Sequence, residues 1–449
     1  MYVWLKSYRG EGEKDIGGRS LVKPVKVGLL GLGTVGTGVV RIVEGNQEDL
    51  SSQVGSPIVI EKIAVKNTEK DRVIAVDRAK LTEDPWEVIR HPDIDVIVEV
   101  MGGIDQTKEY ILEALERGKH IVTANKDLMA LHGSEILAKA QEKQCDVFYE
   151  ASVAGGIPII RTLIEGFSSD RITRIMGIVN GTTNFILTKM SQEGASYEEV
   201  LAEAQALGYA ETDPTSDVEG LDAARKMAIL GTLGFRTNVE LKDVTVKGIT
   251  SVTREDITYA KRLGYEMKLL GIADRRDDEI TISVQPTMVR QNHPIASVNG
   301  VFNAVYVHGE AVGETMFYGA GAGELPTATS VVADIVAVIK NLKLGVNGLK
   351  AIVPYKQKRL QSDEHIMSKN FILLHVDDKA GVLAQITQIF AEYEVSLASV
   401  VQQPNEHNPD AEIIIVTHNA SKASMDKVLK HFESLAVIRR IKSVYRVEG

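Results

Sequence analysis

Through the first third of the chain, short apolar runs alternate with longer stretches whose apolar positions recur at helical spacing. VKVGLLGLG (25–33) is apolar and ends in glycines, which reads as a buried parallel strand. TVGTGVVRIVEGN (34–46) follows as a helix ending near Gly45. IVIEKIAV (58–65) is a second strand, and DIDVIVEVMGG (93–103) is another that ends in glycines. TKEYILEALERGKHIVTAN (107–125) and SEILAKAQEKQCDVFYEAS (134–152) each read as a helix followed by a strand. Strands alternating with helices predict a parallel, doubly wound α/β domain of the Rossmann type over 23–150.

The pattern changes near 151. RITRIMGIVNGTTNFILTKM (171–190) predicts a strand, a polar turn and a helix. EEVLAEAQALG (198–208) and GLDAARKMAILGTLG (220–234) are helices on either side of a loop rich in Asp and Pro. EITISVQPTMV (279–289) and NAVYVHG (303–309) are strands. An α+β domain is therefore expected over 151–310. ELPTATSVVADIVAVIKNL (324–342) predicts a long helix, and 311–345 is expected to return to the first domain. Residues 346–369 are polar and irregular, as in a linker. From 370 to 449 the order is strand, helix, strand, strand, helix, strand, the βαββαβ arrangement of ferredoxin-like domains. Residues 1–22 are polar and glycine-rich, and are expected to be a flexible extension.

Composition narrows the function. A chain of 449 residues, 44% hydrophobic and 25% charged, has material for two or three domains with sizeable cores. The net charge of -10, with no offsetting basic stretch, argues against a nucleic-acid partner. The single cysteine, Cys145, leaves no intramolecular disulfide and no multi-thiolate metal site. Its surroundings, EKQCDVF, are not electropositive, so a buried structural thiol is expected rather than a reactive one. The N-terminal segment lacks the apolar stretch of a signal peptide, and no run of about 18 apolar residues is seen, so the expected location is the cytoplasm, away from membranes.

Gly31-Leu32-Gly33-Thr34-Val35-Gly36 lies between a strand and a helix, the context that the dinucleotide fingerprint requires. The glycines serve the tight turn, the approach of backbone amides to a pyrophosphate, and close helix–strand packing. An acid at the end of the second strand would favour NAD by binding the ribose 2′-hydroxyl. That strand instead ends in IAVKNTEKDR, placing Lys66 there with Lys70 and Arg72 just beyond. This leans toward NADP(H), with NAD(H) open and Lys66 otherwise a solvated loop lysine.

The segment LGYAETDPTSDVEGLDAARK (207–226) gathers Glu211, Asp213, Asp217, Glu219 and Asp222 around a turn that opens a helix. Asp222 and Lys226 are spaced i,i+4 and share a helix face. On a surface helix such a pair is worth only about 0.3–0.5 kcal/mol. In a cleft, the lysine can protonate a carbonyl oxygen as hydride arrives and take the proton back in reverse, with a carboxylate to fix and tune it. Further carboxylates such as Glu211 can bind the ammonium of an amino-acid substrate.

The string GYAETDPTSDVEGLDAARK is similar to the substrate motif of the homoserine dehydrogenase family. GLLGLGTVGTGVV, TANKDLMALHG, YEASVAGGIPII, GIVNGTTNFILTKM and GAGAGELPTATSVVADI resemble that family's other segments in the right order, over roughly 26–342. The resemblance implies reversible reduction of L-aspartate 4-semialdehyde to L-homoserine. It implies that Lys226 is the proton donor and acceptor, that Asp222 supports it, and that Glu211 and Asp217 hold the substrate's polar groups. Lys126 is implied to lie near the nicotinamide and substrate, as a further catalytic residue. Cofactor contacts are implied for Gly31, Leu32, Gly33, Thr34, Val35, Gly36, Lys66, Met101, Gly102, Lys126 and Gly323. EASVAGGI (150–157) resembles the family's monovalent-cation loop. There the Glu150 carboxylate and the carbonyls of Val153, Gly155 and Ile157 would bind Na⁺, and oxygen-only ligation suits such a hard ion.

VDDKAGVLAQITQIFAEYEVSLASVVQ (376–402) resembles an ACT domain, a small amino-acid-binding regulatory module. Gly381 at the helix start leaves free N–H groups for a ligand carboxylate, and Asp378 could contact its amino group. L-Threonine, the end product, is the effector that this implies; the alternative is a dimerising domain without effector. The family resemblance further implies a homodimer through the second domain's sheet, or a homotetramer. One rival is another NAD(P)-dependent amino-acid dehydrogenase with an ACT tail, but the acidic turn and Lys226 do not match a hydroxyacid dehydrogenase's catalytic set. A second is an amino-acid sensor with a silent nucleotide domain, which would have no need of both Lys126 and Lys226. The segment ahead of the nucleotide domain is too short for a fused aspartate kinase.

Overall fold

The computed structural model describes residues 23–348, 354, 356–404 and 410–449. The expected extension, 1–22, and part of the expected linker, 349–353 and 355, lie outside the described residues. The chain forms two compact units. One holds the residues up to Gly156 and the segment from Gly323 on, and the other holds Ile157–Ala322 together with Pro354–Gly449.

In the first unit, β1 (Val25–Leu30), β2 (Ile58–Ala64), β3 (Leu81–Thr82), β4 (Val96–Glu99), β5 (His120–Thr123) and β6 (Val147–Phe148) form a parallel sheet. Its order is β3-β2-β1-β4-β5-β6. Every residue of β4 and β5 is buried, which is why both read as short apolar runs, closed by Glu99 in β4 and flanked by His120 and Thr123 in β5. The strand order reverses between β1 and β4, and ligands of such sheets bind outside the strand ends at that point. The helix Glu324–Leu344 belongs to this unit: Val331, Val332, Ile335, Val338 and Ile339 share a core with Val27, Leu29, Val39 and Val43. By length and mean hydropathy alone this helix could cross a membrane, although Thr, Ser, Asp, Lys and Asn interrupt it and no run of about 18 apolar residues occurs in it. Its apolar residues are instead spent on the core. Cys145 is buried too, and burial pushes its thiol up to about 11, so it stays protonated and inert at neutral pH.

The second unit holds β7 (Ile172–Ile178), β8 (Val244–Val246), β9 (Tyr265–Arg276), β10 (Glu279–Arg290), β11 (Phe302–Gly309) and β12 (Gly313–Ala320). It continues with β13 (Met367–Asp377), β14 (Leu397–Pro404), β15 (Asp410–Thr417), β16 (Ala420–Ser421) and β17 (Ile438–Glu448). They make one mixed sheet in the order β12-β11-β7-β9-β10-β17-β13-β15-β14, with β8 on β10 and β16 on β13. Two expectations are corrected. Residues 313–320 pair with β11, so the return to the first unit begins at Gly323 rather than 311. The C-terminal βαββαβ domain is also not a separate bead, because β17 pairs in parallel with β10 from Thr287–Arg446 to Val289–Glu448.

Side chains reinforce that seam. Asp256, almost fully buried, accepts hydrogen bonds from Ser443 Oγ at 2.5 Å and Tyr445 OH at 2.9 Å. Arg174 pairs with Glu448 at 2.9 Å, and Arg446 with Asp274 at 3.2 Å. The end of the expected linker also lies along this unit. Lys356 N donates to Arg236 O, Ile280 N donates to Arg359 O, and Lys358 Nζ reaches Glu240 and Asp243.

Candidate active site

The chain leaves β1 at Gly31, whose φ of 104° is one that side chains disfavour. A Cβ at Gly36 would sit 2.3 Å from Gly31 O, so only glycine lets the helix Thr34–Gly45 start against the turn. At Gly33 the position of a Cβ has no heavy atom within 4 Å, and no side chain caps this helix. The amides of Thr34 and Val35 thus open an uncapped helix N-terminus over an open cradle, which fits a dinucleotide pyrophosphate. Leu32 is buried beneath it. Lys66 is exposed just past β2, and nearby Arg72 is turned to the Asn67 carbonyl at 2.7 Å.

Met101 and Gly102 follow β4, with Met101 37% exposed. Lys126 is the first residue of the helix Lys126–Glu142, which begins earlier than its sequence pattern suggested. The helix is capped by Asn125, whose side chain accepts from Leu128 N. Gly323, at φ 124°, is the N-cap of the helix Glu324–Leu344.

In the second unit the helix Leu221–Phe235 carries Asp222 and Lys226. Gly271 on β9 admits this helix to the sheet, since a Cβ there would meet Met227 Cγ at 2.3 Å. Lys226 Nζ donates to Asp222 Oδ2 at 2.7 Å and to Val179 O at 2.7 Å. The lysine side chain is 13% exposed and the aspartate 9%, so this is not a solvated pair on a surface helix. Asp217 lies alongside. Burial pushes its carboxyl above the usual range, against the pull of Asn180 and with a push from the Asp222 charge. Glu211 is exposed in the loop before it, and its backbone carbonyl accepts from Gln205 Nε2.

Asn180 was not singled out from sequence. Its Nδ2 donates to Asp217 Oδ1 at 2.7 Å and to Asp222 Oδ2 at 2.9 Å. Its Oδ1 accepts from Thr183 N and Thr183 Oγ1 while capping the helix Gly181–Glu193. A polar turn between strand and helix was the available signal, and it reads first as an ordinary N-cap.

Glu150 is buried, and its backbone N–H donates to Asp334 Oδ2 at 2.8 Å. Val153 is extended, whereas Ala154 and Gly155 follow at φ 55° and 46°. The carbonyl of Gly155 already accepts from Ser330 Oγ at 2.7 Å. Ile157, the first residue of the second unit, accepts from Ile159 N. The donor set is oxygen throughout, as a hard cation requires. Among the described residues, the one carboxylate–histidine cluster close enough to hold a metal is Glu61, His91 and Asp93, and Lys26 Nζ already binds two of its members.

Comparison with known proteins gives the family to which the chain is similar. Residues 31–150 match the family model for the NAD binding domain of homoserine dehydrogenase, residues 158–336 that for homoserine dehydrogenase, and residues 371–437 that for the ACT domain. The homoserine dehydrogenase of Bacillus subtilis is 57% identical over 429 residues, covering 95% of this chain and 99% of the relative. The crystal structure of a homoserine dehydrogenase from Thiobacillus denitrificans superposes with a TM-score of 0.91 at 40% identity, covering 95% of this chain and 99% of that one. A hyperthermophilic archaeal homoserine dehydrogenase solved in complex with NADPH gives a TM-score of 0.60 at 27% identity, covering 72% of this chain and 98% of that one. The chain therefore belongs to the homoserine dehydrogenase family, as an NAD(P)-dependent oxidoreductase with a C-terminal ACT domain.

Proposed function

We propose that the protein interconverts L-aspartate 4-semialdehyde and L-homoserine with Lys226 as the acid–base residue. The observation that carries this reading is the Lys226 ammonium held between the Asp222 carboxylate and the Val179 carbonyl. When bound, the nicotinamide supplies or accepts the hydride. Lys226 gives a proton to the aldehyde oxygen in reduction and takes it from the hydroxyl in oxidation. Asp222 holds the lysine side chain in place through its 2.7 Å contact with Nζ. Asp217 and Glu211 receive the substrate's ammonium group. Lys126 serves the cofactor side, together with Gly31 to Gly36, Met101, Gly102 and Gly323. Lys66 favours NADP(H) over NAD(H).

The test is oxidation of L-homoserine followed by the absorbance of reduced nicotinamide, with NADP⁺ and NAD⁺ in parallel. Turnover faster with NADP⁺ supports the whole reading. Turnover faster with NAD⁺ removes the role given to Lys66, and no turnover with either removes the reaction. Asn180→Ala is expected to lower kcat/KM for L-homoserine about tenfold or more, because Asp217 and Asp222 lose their shared donor. An unchanged kcat/KM in that variant would make Asn180 a helix cap alone.

Na⁺ is proposed for the Glu150, Val153, Gly155 and Ile157 loop, the carbonyls of Gly155 and Ile157 each having a second lone pair beyond the present hydrogen bond. A dimer is proposed through the sheet of the second unit, where Phe302, Met316 and Tyr318 are exposed on β11 and the edge strand β12 and the rings of Phe302 and Tyr318 lie 5.2 Å apart. L-Threonine is proposed as effector at the start of the helix Val382–Glu392, which has no side-chain cap and opens at Gly381. Asp378, turned to Gln402 Nε2 at 3.2 Å, would meet its amino group. The pairing of β17 with β10 supplies a continuous path from that domain to the strand under the helix of Lys226. Inhibition by threonine in the wild type that weakens in Asp378→Ala supports this, and no inhibition in the wild type removes it.

A further inference from the structure

Glu99 ends β4 and is fully buried, yet the loop that it supports is exposed. Its Oε1 accepts from Met101 N at 2.9 Å and Gly102 N at 3.0 Å. Its Oε2 accepts from Thr123 Oγ1 at 2.6 Å, at the end of β5. Thr123 Oγ1 in turn accepts from Asn125 N, and Asn125 Nδ2 donates to Gly103 O at 2.7 Å. The loop is pinned once more where Thr107 Oγ1 donates to Gly102 O at 2.7 Å. Gly102 and Gly103 are both left-handed, so the loop turns sharply over the carboxylate. One buried acid thus locks the β4 loop to the β5 junction that starts the helix of Lys126.

Burying a carboxylate is costly, and hydrogen bonds to neutral donors offset the cost only in part. Accordingly burial pushes the Glu99 carboxyl up, with Thr123 and the Gly102 and Met101 amides opposing it. A strand end that needed only to be closed would be served by a hydroxyl or an amide. A carboxylate that turns two consecutive amides of an exposed loop inward makes sense where the loop's position matters to something outside it. In a doubly wound sheet the two halves each take one mononucleotide. The fingerprint on β1 and the lysines past β2 serve the phosphates and the adenosine ribose, which leaves the ends of β4 and β5 for the nicotinamide half.

We infer that Glu99 is a positioning residue for the nicotinamide end of the cofactor, acting through the Met101–Gly103 loop and the Thr123–Asn125 junction. The inference rests on the reading of Met101, Gly102 and Lys126 as cofactor contacts. Its test is binding rather than turnover. Full-length wild type, Glu99→Gln, Thr123→Val and Thr123→Ser are titrated calorimetrically with NADPH and, separately, with ADP-ribose 2′-phosphate, which lacks the nicotinamide. Glu99→Gln is expected to weaken NADPH about tenfold and to leave ADP-ribose 2′-phosphate unchanged, the scale of a buried donor left unmatched. Thr123→Val, which keeps the acid and its two amide bonds, is expected to shift NADPH in the same direction, and Thr123→Ser to restore it. Equal weakening of both ligands, or of neither, overturns the inference and makes Glu99 a fold residue. A wild type that binds ADP-ribose 2′-phosphate but not NADPH overturns instead the cofactor reading on which the inference rests.

Discussion

Lys226→Ala is expected to lose about 10²-fold to 10⁴-fold in kcat for L-homoserine oxidation, the range of a positioned acid–base group. The geometry supports the upper part of that range. A lysine ammonium has three N–H donors. Two are taken by Asp222 Oδ2 and Val179 O, both at 2.7 Å, which fixes the direction of the third. The side chain is 13% exposed, so bulk water is a poor substitute for it. Lys226→Arg keeps the charge but replaces a point donor by a planar fork, and is expected to recover little. Asp222 keeps its bond from Asn180 in both variants, which preserves the surrounding carboxylates. Cofactor binding measured on the same variants separates a loss of proton transfer from a loss of cofactor. A loss below about tenfold would move the proton transfer to another group.

Deleting 367–449 is expected to abolish soluble protein, not merely regulation. In the ACT sheet Ile372 and Leu374 pack with the domain's own helices. Phe371 and Leu373 alternate onto the opposite face and are nonetheless fully buried, so that face is covered by the rest of the unit. The deletion strips that cover from both sides. It also removes β17 from β10, leaving backbone donors and acceptors of a central strand unpaired. Asp256 loses Ser443 and Tyr445, and the Arg174, Asp274, Arg446 and Glu448 cluster is cut in half. Leaving the buried Asp256 carboxylate without its two partners costs about 1–3 kcal/mol or more, against a total stability of about 5–15 kcal/mol. Soluble yield, gel filtration and thermal melting of the truncated chain test this. A monodisperse, active fragment would show that the shared sheet is dispensable, and effector studies could then use it. Otherwise regulation is best probed by point changes such as Asp378→Ala in the whole chain.

Local pattern carried the nucleotide half of the molecule almost to completion. A buried parallel strand needs a continuous apolar run, a glycine turn needs glycine, and an amphipathic helix repeats every turn; each is a property of neighbours along the chain. The acidic turn was legible for the same reason, because Asp222 and Lys226 are one helical turn apart. Asn180 was not, since its partners Asp217 and Asp222 are separated from it by 37 and 42 positions. Glu99 was hidden in the same way: next to VIV it reads as a strand end, and only the return of Thr123 to its side shows what it holds. β9 and β12 escaped notice because charged residues interrupt the apolar run of β9, and β12 places Met316 and Tyr318 on its exposed face, where polar residues are expected.

Domain order was therefore written in the sequence, and domain separateness was not. The βαββαβ run is a local sequence of elements with its own core, so it could be recognised alone. Whether its last strand ends in solvent or continues another sheet depends on backbone groups that look the same in every residue. That choice, like the placing of Asn180 and Glu99, was made by the tertiary structure, because it is settled by which distant surfaces meet and not by what any segment contains.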